Sequence, residues 1–159
     1  MIRIKEGAAA CCIGHRALTM TPDLERKVLE VCEKLICEEN VEVFFFGSKS
    51  DFNSLCYAEV SKLREKYPYI KRIFVRAEFP EINEDYRNYL LERYEDSYYP
   101  PEIQNAGRAA YLERNYHMID QSNFCIFYYR ERELPQKRKS GTKLALAYAV
   151  KKNKKVLLI

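Results

Sequence analysis

The chain has 159 residues, 47% of them apolar, which suits one compact domain spanning residues 1–159 and leaves no room for a second of ordinary size. No apolar run approaches the roughly 18 residues that cross a bilayer. Residues 1–7 mix charges with single isoleucines instead of forming a signal-peptide core, so a cytoplasmic protein with no membrane partner is expected. A net charge of +4 argues by itself for neither nucleic-acid nor membrane binding, and six cysteines without paired C-x-x-C spacing read as buried reduced thiols, so no metal is assigned.

In chain order, residues 8–13 form the first apolar run, which stops at Gly14-His15-Arg16. A buried parallel strand ending in glycine and a donor-rich turn presents free N–H groups and a cation where α/β sheets bind phosphate-bearing ligands. Taken alone, a glycine after a strand is more often plain turn chemistry. Thr21-Pro22-Asp23 then opens a helix with an N-cap, a proline at the first helical position and early negative charge, and Leu24, Val28, Val31, Cys32, Leu35 and Ile36 share its apolar face. A second strand is expected over 43–46, then a helix carrying Phe52, Leu55, Cys56, Val60, Leu63 and Tyr67 that Pro68 closes, then a strand over 70–75.

The connection from 78 to 122 breaks this alternation. Residues 83–93 and 106–120 read as helices, the latter with Tyr111, Met118 and Ile119 on one side, while Tyr98-Tyr99-Pro100-Pro101 must interrupt any helix between them. Excursions this long often wall a site. Tyr86, Tyr89, Tyr94, Tyr98 and Tyr99 offer faces for stacking on a base, although amphipathic filler along the sheet edge is favoured for most of them. A fourth strand follows at 124–129, and the second small cluster, Ser140-Gly141-Thr142, precedes a helix over 142–152 and a last strand over 156–159. None of the five apolar runs shows polar alternation, so they read as buried parallel strands. The expected fold is an α/β three-layer Rossmann-like sandwich with a mainly parallel five-stranded sheet in the order 3-2-1-4-5.

Cys12-Ile13-Gly14-His15-Arg16, residues 45–53, Arg114-Asn115 with Met118-Ile119-Asp120 and Ser122, and Ser140-Gly141-Thr142 followed by Tyr148-Ala149 together resemble the YpsA-like branch of the SLOG superfamily. The likeness spans nearly the whole chain. It implies a Rossmann-like domain that binds a nucleotide or nucleotide-derived ligand, NAD-like, ADP-ribose-like or a nucleoside phosphate, and it implies no settled reaction. Wider relatives include LONELY GUY phosphoribohydrolases and the DNA-binding processing protein DprA. The chain departs from the family pattern after the second strand, where Ser48, Lys49, Asp51 and Asn53 stand in a turn that is usually glycine-rich, and again where Ser140 replaces the first glycine of Gly-Gly-Thr. No Pro-Gly-Gly run with a catalytic glutamate matches the hydrolases, so a ligand-binding protein is expected before an efficient hydrolase.

The switch-point rule and the resemblance agree on a site between the carboxyl ends of the first and fourth strands. Its expected lining is Gly14, His15, Arg16, Gly47, Ser48, Arg114, Asn115, Ser140, Gly141 and Thr142. His15 is read as a ligand contact in preference to a catalyst, and Arg16 as a phosphate grip in preference to a surface ion pair. Asp120 and Ser122 cap a chain reversal or touch ligand with equal weight, and Glu78 is the one acidic residue worth testing as a base. The basic run Arg130, Arg132, Lys137, Arg138 and Lys139, with Lys151, Lys152, Lys154 and Lys155, keeps single-stranded nucleic acid as the second partner class behind a small-molecule nucleotide. An interaction module without a ligand and a homo-oligomer both remain open.

Overall fold

Each of the five apolar runs supplies a strand of one parallel sheet. The computed structural model describes residues 7–133 and 140–159. Its elements run β1 (Ala8–Gly14), α1 (Pro22–Glu39), β2 (Val41–Phe46), α2 (Asp51–Lys66), β3 (Lys71–Val75), α3 (Glu84–Arg93), β4 (Asp96–Tyr98), α4 (Arg108–Asp120), β5 (Phe124–Tyr128), α5 (Gly141–Lys151) and β6 (Lys155–Leu158). Every pairing is parallel, and the strand order is β4-β3-β2-β1-β5-β6.

The expected order holds for the five predicted strands, but the sheet has six. The additional strand, β4, lies in the tyrosine- and proline-rich stretch expected only to break a helix. Asp-Ser-Tyr is too short and too polar to carry a strand pattern, and it is extended because β3 offers an open edge, pairing Ile73 with Asp96 and Val75 with Tyr98. Glu95 fixes that register: its carboxylate accepts from the Arg72 backbone N–H and from Arg72 Nη2, both at 2.7 Å.

Side-chain oxygens cap the starts of three of the sheet-packing helices, the first of them, Thr21, as the sequence implied, whereas α4 starts at Gly107 without a side-chain cap. Thr21 Oγ1 accepts the Leu24 N–H at 3.1 Å, Ser50 Oγ that of Asn53 at 3.1 Å, and Ser140 Oγ that of Lys143 at 3.2 Å. Asn40, in the left-handed region, ends α1 and feeds β2 directly. Val28, Phe44, Phe52 and Val60 pack α1 and α2 on one face of the sheet, and Met118, Ile119, Phe127, Ala145 and Ala149 pack α4 and α5 on the other. β1 lies between β2 and β5, and the chain leaves it toward opposite sides of the sheet, so a crevice opens above its carboxyl end. No described helix is long and apolar enough to cross a membrane.

Candidate functional site

A crevice of about 670 Å³ occupies that position, within the range of small-molecule sites. All ten residues expected to form the site line it: Gly14, His15, Arg16, Gly47, Ser48, Arg114, Asn115, Ser140, Gly141 and Thr142.

Next to the ends of β1 and β2, Asn53, His15 and Ser48 are engaged within the protein. Asn53, buried at the start of α2, accepts the Gly47 N–H through Oδ1 at 3.2 Å and donates through Nδ2 to the Cys12 carbonyl at 2.9 Å. It therefore ties the ends of β1 and β2 together rather than offering its amide to a ligand. His15 is buried too, and its Nε2 accepts the Arg130 N–H at 2.7 Å while Tyr128 meets the ring edge-on at 5.4 Å. The ring thus joins the ends of β1 and β5, a structural use beside the ligand contact expected of it. Ser48 Oγ donates to Ser50 Oγ at 2.8 Å. Asp51 points away from the crevice and accepts the Leu18 N–H at 3.1 Å, which fastens the loop after β1 to α2. Both strand-end glycines are required by close approach: a Cβ on Gly14 would collide with the Phe52 ring, and one on Gly47 would lie 2.5 Å from Arg114 Cδ.

The α4 side differs. Arg114 is 4% exposed, yet no carboxylate forms an ion pair with it among the described residues. Nη1 donates to the Gly47 carbonyl and Nε to Asn115 Oδ1 at 3.1 Å, while Nη2 makes no hydrogen bond among the described residues. Burial pulls its pKa down to about 10, partly offset by Tyr111 and Glu78, so the guanidinium remains a cation at neutral pH. Glu78 is the only carboxylate lining the crevice among the described residues, and it accepts the Tyr111 hydroxyl at 2.8 Å. Tyr111 was expected on the apolar side of α4; instead it is exposed and stands over the crevice, its ring 5.5 Å from the Arg114 guanidinium.

The start of α5 also lines the crevice. Ser140 caps the helix, and the N–H groups of Gly141 and Thr142 have no acceptor within it, so the positive end of the helix dipole faces the cavity. Gly141 has an ordinary helical backbone and open space where a Cβ would sit, so the turn does not require glycine there. Arg16, exposed at the rim, has its guanidinium free of ion pairs and hydrogen bonds to described residues.

Asp120 and Ser122 do not line the crevice. Asp120 accepts the Tyr148 hydroxyl at 2.9 Å and so ties the end of α4 to α5, while Ser122 Oγ donates to the Met118 carbonyl at 2.7 Å and closes the α4–β5 reversal. Of the five tyrosines expected to offer stacking faces, Tyr86 lines the crevice; Tyr94 packs against the core and Tyr98 bonds His117 Nε2 at 2.6 Å. Arg130 follows the carboxyl end of β5, whereas Lys151, Lys152, Lys154 and Lys155 lie at the amino end of β6, at the opposite edge of the sheet, so they form no continuous basic track. Lys137, Arg138 and Lys139 lie outside the described residues. Sequence reasoning missed Lys49, Phe74, Arg76, Phe79 and Ile82 on the crevice wall. Arg76 alone carried a signal, as a cation directly after a strand.

No family model matches this chain, and no curated protein does. Among solved structures, it is similar to DNA processing protein A from Helicobacter pylori, whose structure was described for its single-stranded DNA binding mode. The alignment has a TM-score of 0.60 and 18% identity over 96% of this chain and 65% of that one. The chain thus spans just under two thirds of that protein's length, and what the two share is the Rossmann-like fold.

Proposed function

We propose that the crevice binds a phosphate-bearing nucleotide or nucleotide-derived ligand, as the resemblance to the YpsA-like branch of the SLOG superfamily implies. Arg114 is the observation that carries this reading: a buried guanidinium without a carboxylate partner is costly to maintain and is stabilised by an anion in the cavity it lines. Arg16 and the first N–H groups of α5 face the same space and add donors suited to a phosphate. Binding rather than turnover is favoured, because Glu78 is the single carboxylate on the wall among the described residues and it is held by Tyr111.

Single-stranded nucleic acid is the second reading, supported by the fold shared with DNA processing protein A. A thermal-shift and calorimetry series with NAD, ADP-ribose, nucleoside mono- and triphosphates, cyclic nucleotides and a short oligonucleotide separates the two. Ligands that bind the folded state raise Tm in proportion to the logarithm of concentration over Kd. The proposal expects a mononucleotide-sized compound to bind and Arg114→Met to reduce the shift, as a roughly ten- to a hundredfold weaker affinity requires. An oligonucleotide that binds while every mononucleotide fails would replace it with the second reading. Steady release of free base from a nucleoside monophosphate, abolished by Glu78→Gln, would overturn the preference for binding over turnover.

A further inference from the structure

The crevice also extends over the carboxyl end of β3, where its wall has a different character. Phe74, Ala77, Phe79, Ile82 and Tyr86 line it, with Arg76 among them. Arg76 directly follows β3, and its Nη1 donates to the Phe79 carbonyl at 3.1 Å, which folds the segment after the strand over the arginine side chain. Its Nε is buried and has no hydrogen-bond partner. Burial also draws its pKa down, an effect that Tyr86 and Tyr99 oppose and Arg87 reinforces. A buried donor without an acceptor is destabilising, and an acceptor supplied by a ligand relieves it. Beside it, Phe79 is 56% exposed, and the half-buried Tyr86, stacked on Tyr89 at 6.1 Å, lines the same cavity.

The geometry points to a nucleobase subsite here, in which a planar heterocycle rests against Tyr86 and Phe79 and a ring nitrogen or carbonyl of the base accepts from the Arg76 guanidinium. The inference rests on the crevice being a nucleotide site and adds which end takes which part of the ligand. Phosphate lies toward Arg114, Arg16 and α5, and the base lies under the 76–86 segment. A wall that combines aromatic faces with one directed donor discriminates nucleotides from sugar phosphates, because a sugar phosphate has no π-face to stack and no ring acceptor to offer.

The test uses calorimetry on the full chain with 5′-AMP, 5′-GMP and 5′-UMP against ribose 5-phosphate. The best of the three nucleotides should bind about tenfold or more tightly than ribose 5-phosphate. Tyr86→Leu and Phe79→Ser should each remove about tenfold of nucleotide affinity and leave ribose 5-phosphate unchanged. Phe79 is exposed, so its replacement leaves the fold intact. Arg16→Ala should weaken both ligand types alike. Equal affinity for nucleotide and ribose 5-phosphate, or loss of both to the same degree in the Tyr86 and Phe79 variants, would overturn the base subsite while leaving the anion site standing. Failure of every probe to bind at millimolar concentration would overturn both.

Discussion

Asn53 and Arg114 both line one crevice and are about equally buried, 3% and 4% exposed, yet they are satisfied in different ways. Both ends of the Asn53 amide are bound to backbone groups of β1 and β2, and nothing is left over for a ligand. Arg114 has one bond to a carbonyl and one to a neighbouring amide, and its charge has no carboxylate against it in an ion pair. Buried polarity that is fully hydrogen-bonded belongs to the architecture, whereas a buried charge left unpaired calls for a partner from outside the chain. On that criterion His15, Asn53 and the two strand-end glycines build the crevice, and Arg114, Arg16 and the start of α5 are available to use it.

The largest expected effect breaks the architectural side. Asn53→Ala leaves the Gly47 N–H and the Cys12 carbonyl unpaired inside the protein. That should cost about 3 kcal/mol and lower Tm by about 10 °C. Chemical denaturation of the variant measures it, and a cost below about 1 kcal/mol would show that water replaces the amide there.

Arg114→Met should do the reverse. It removes an unpaired buried charge while keeping much of the side-chain volume, so stability should stay within about 1 kcal/mol of the parent or rise. Nucleotide affinity should fall roughly ten- to a hundredfold, the worth of a lost charge-assisted contact. If denaturation shows Arg114→Met to be as damaging as Asn53→Ala, the guanidinium is itself a structural strut, and the distinction between the two sides fails.

Most of this crevice was legible in the sequence because its ingredients are punctuation. Gly14, Gly47 and Ser140 stop apolar runs or open a helix, and a parallel sheet brings such stops to one edge. What the sequence did not carry was allegiance. Nothing in the letters separates Asn53, which faces backbone, from Arg114, which faces the cavity, since the difference lies in contacts across 41 and 67 residues of chain. β4 escaped for a related reason: its extended form comes from the edge of β3 and from Arg72 gripping Glu95, not from its own composition. Gly141 differs from the strand-end glycines: its backbone is helical and its surroundings are open, so nothing in the turn requires glycine there.

That last difference sharpens the comparison. Arg16→Ala and Gly141→Val alter exposed positions on the ligand-facing side and should leave stability within about 0.5 kcal/mol of the parent. Both should nevertheless weaken nucleotide binding, Arg16→Ala by about tenfold through the lost cation, and Gly141→Val by crowding the approach to the α5 N–H groups. Unchanged affinity in both would confine anion recognition to Arg114.

The smallest effect concerns the core beyond the crevice, where the Tyr94 hydroxyl is pushed up to about 12, chiefly by burial and then by the neighbouring Tyr57 and Tyr89. Its ring packs against Phe46, Tyr57 and Phe74. A phenol whose folded pKa exceeds its unfolded value favours the folded state fully below the unfolded value, near 10, and that contribution disappears as pH rises through the folded value. Stability should therefore decline between about pH 10 and pH 12, because the unfolded chain releases this proton first. Tyr98, also raised to about 12, mainly by burial with help from Glu102 and Asp96, adds a decline of the same sign. Tyr94→Phe removes one titrating group without breaking a side-chain hydrogen bond, so melting at pH 8 should barely change while the loss between pH 10 and pH 12 becomes shallower. An identical alkaline profile in Tyr94→Phe and the parent would assign that decline to Tyr98 and the remaining tyrosines.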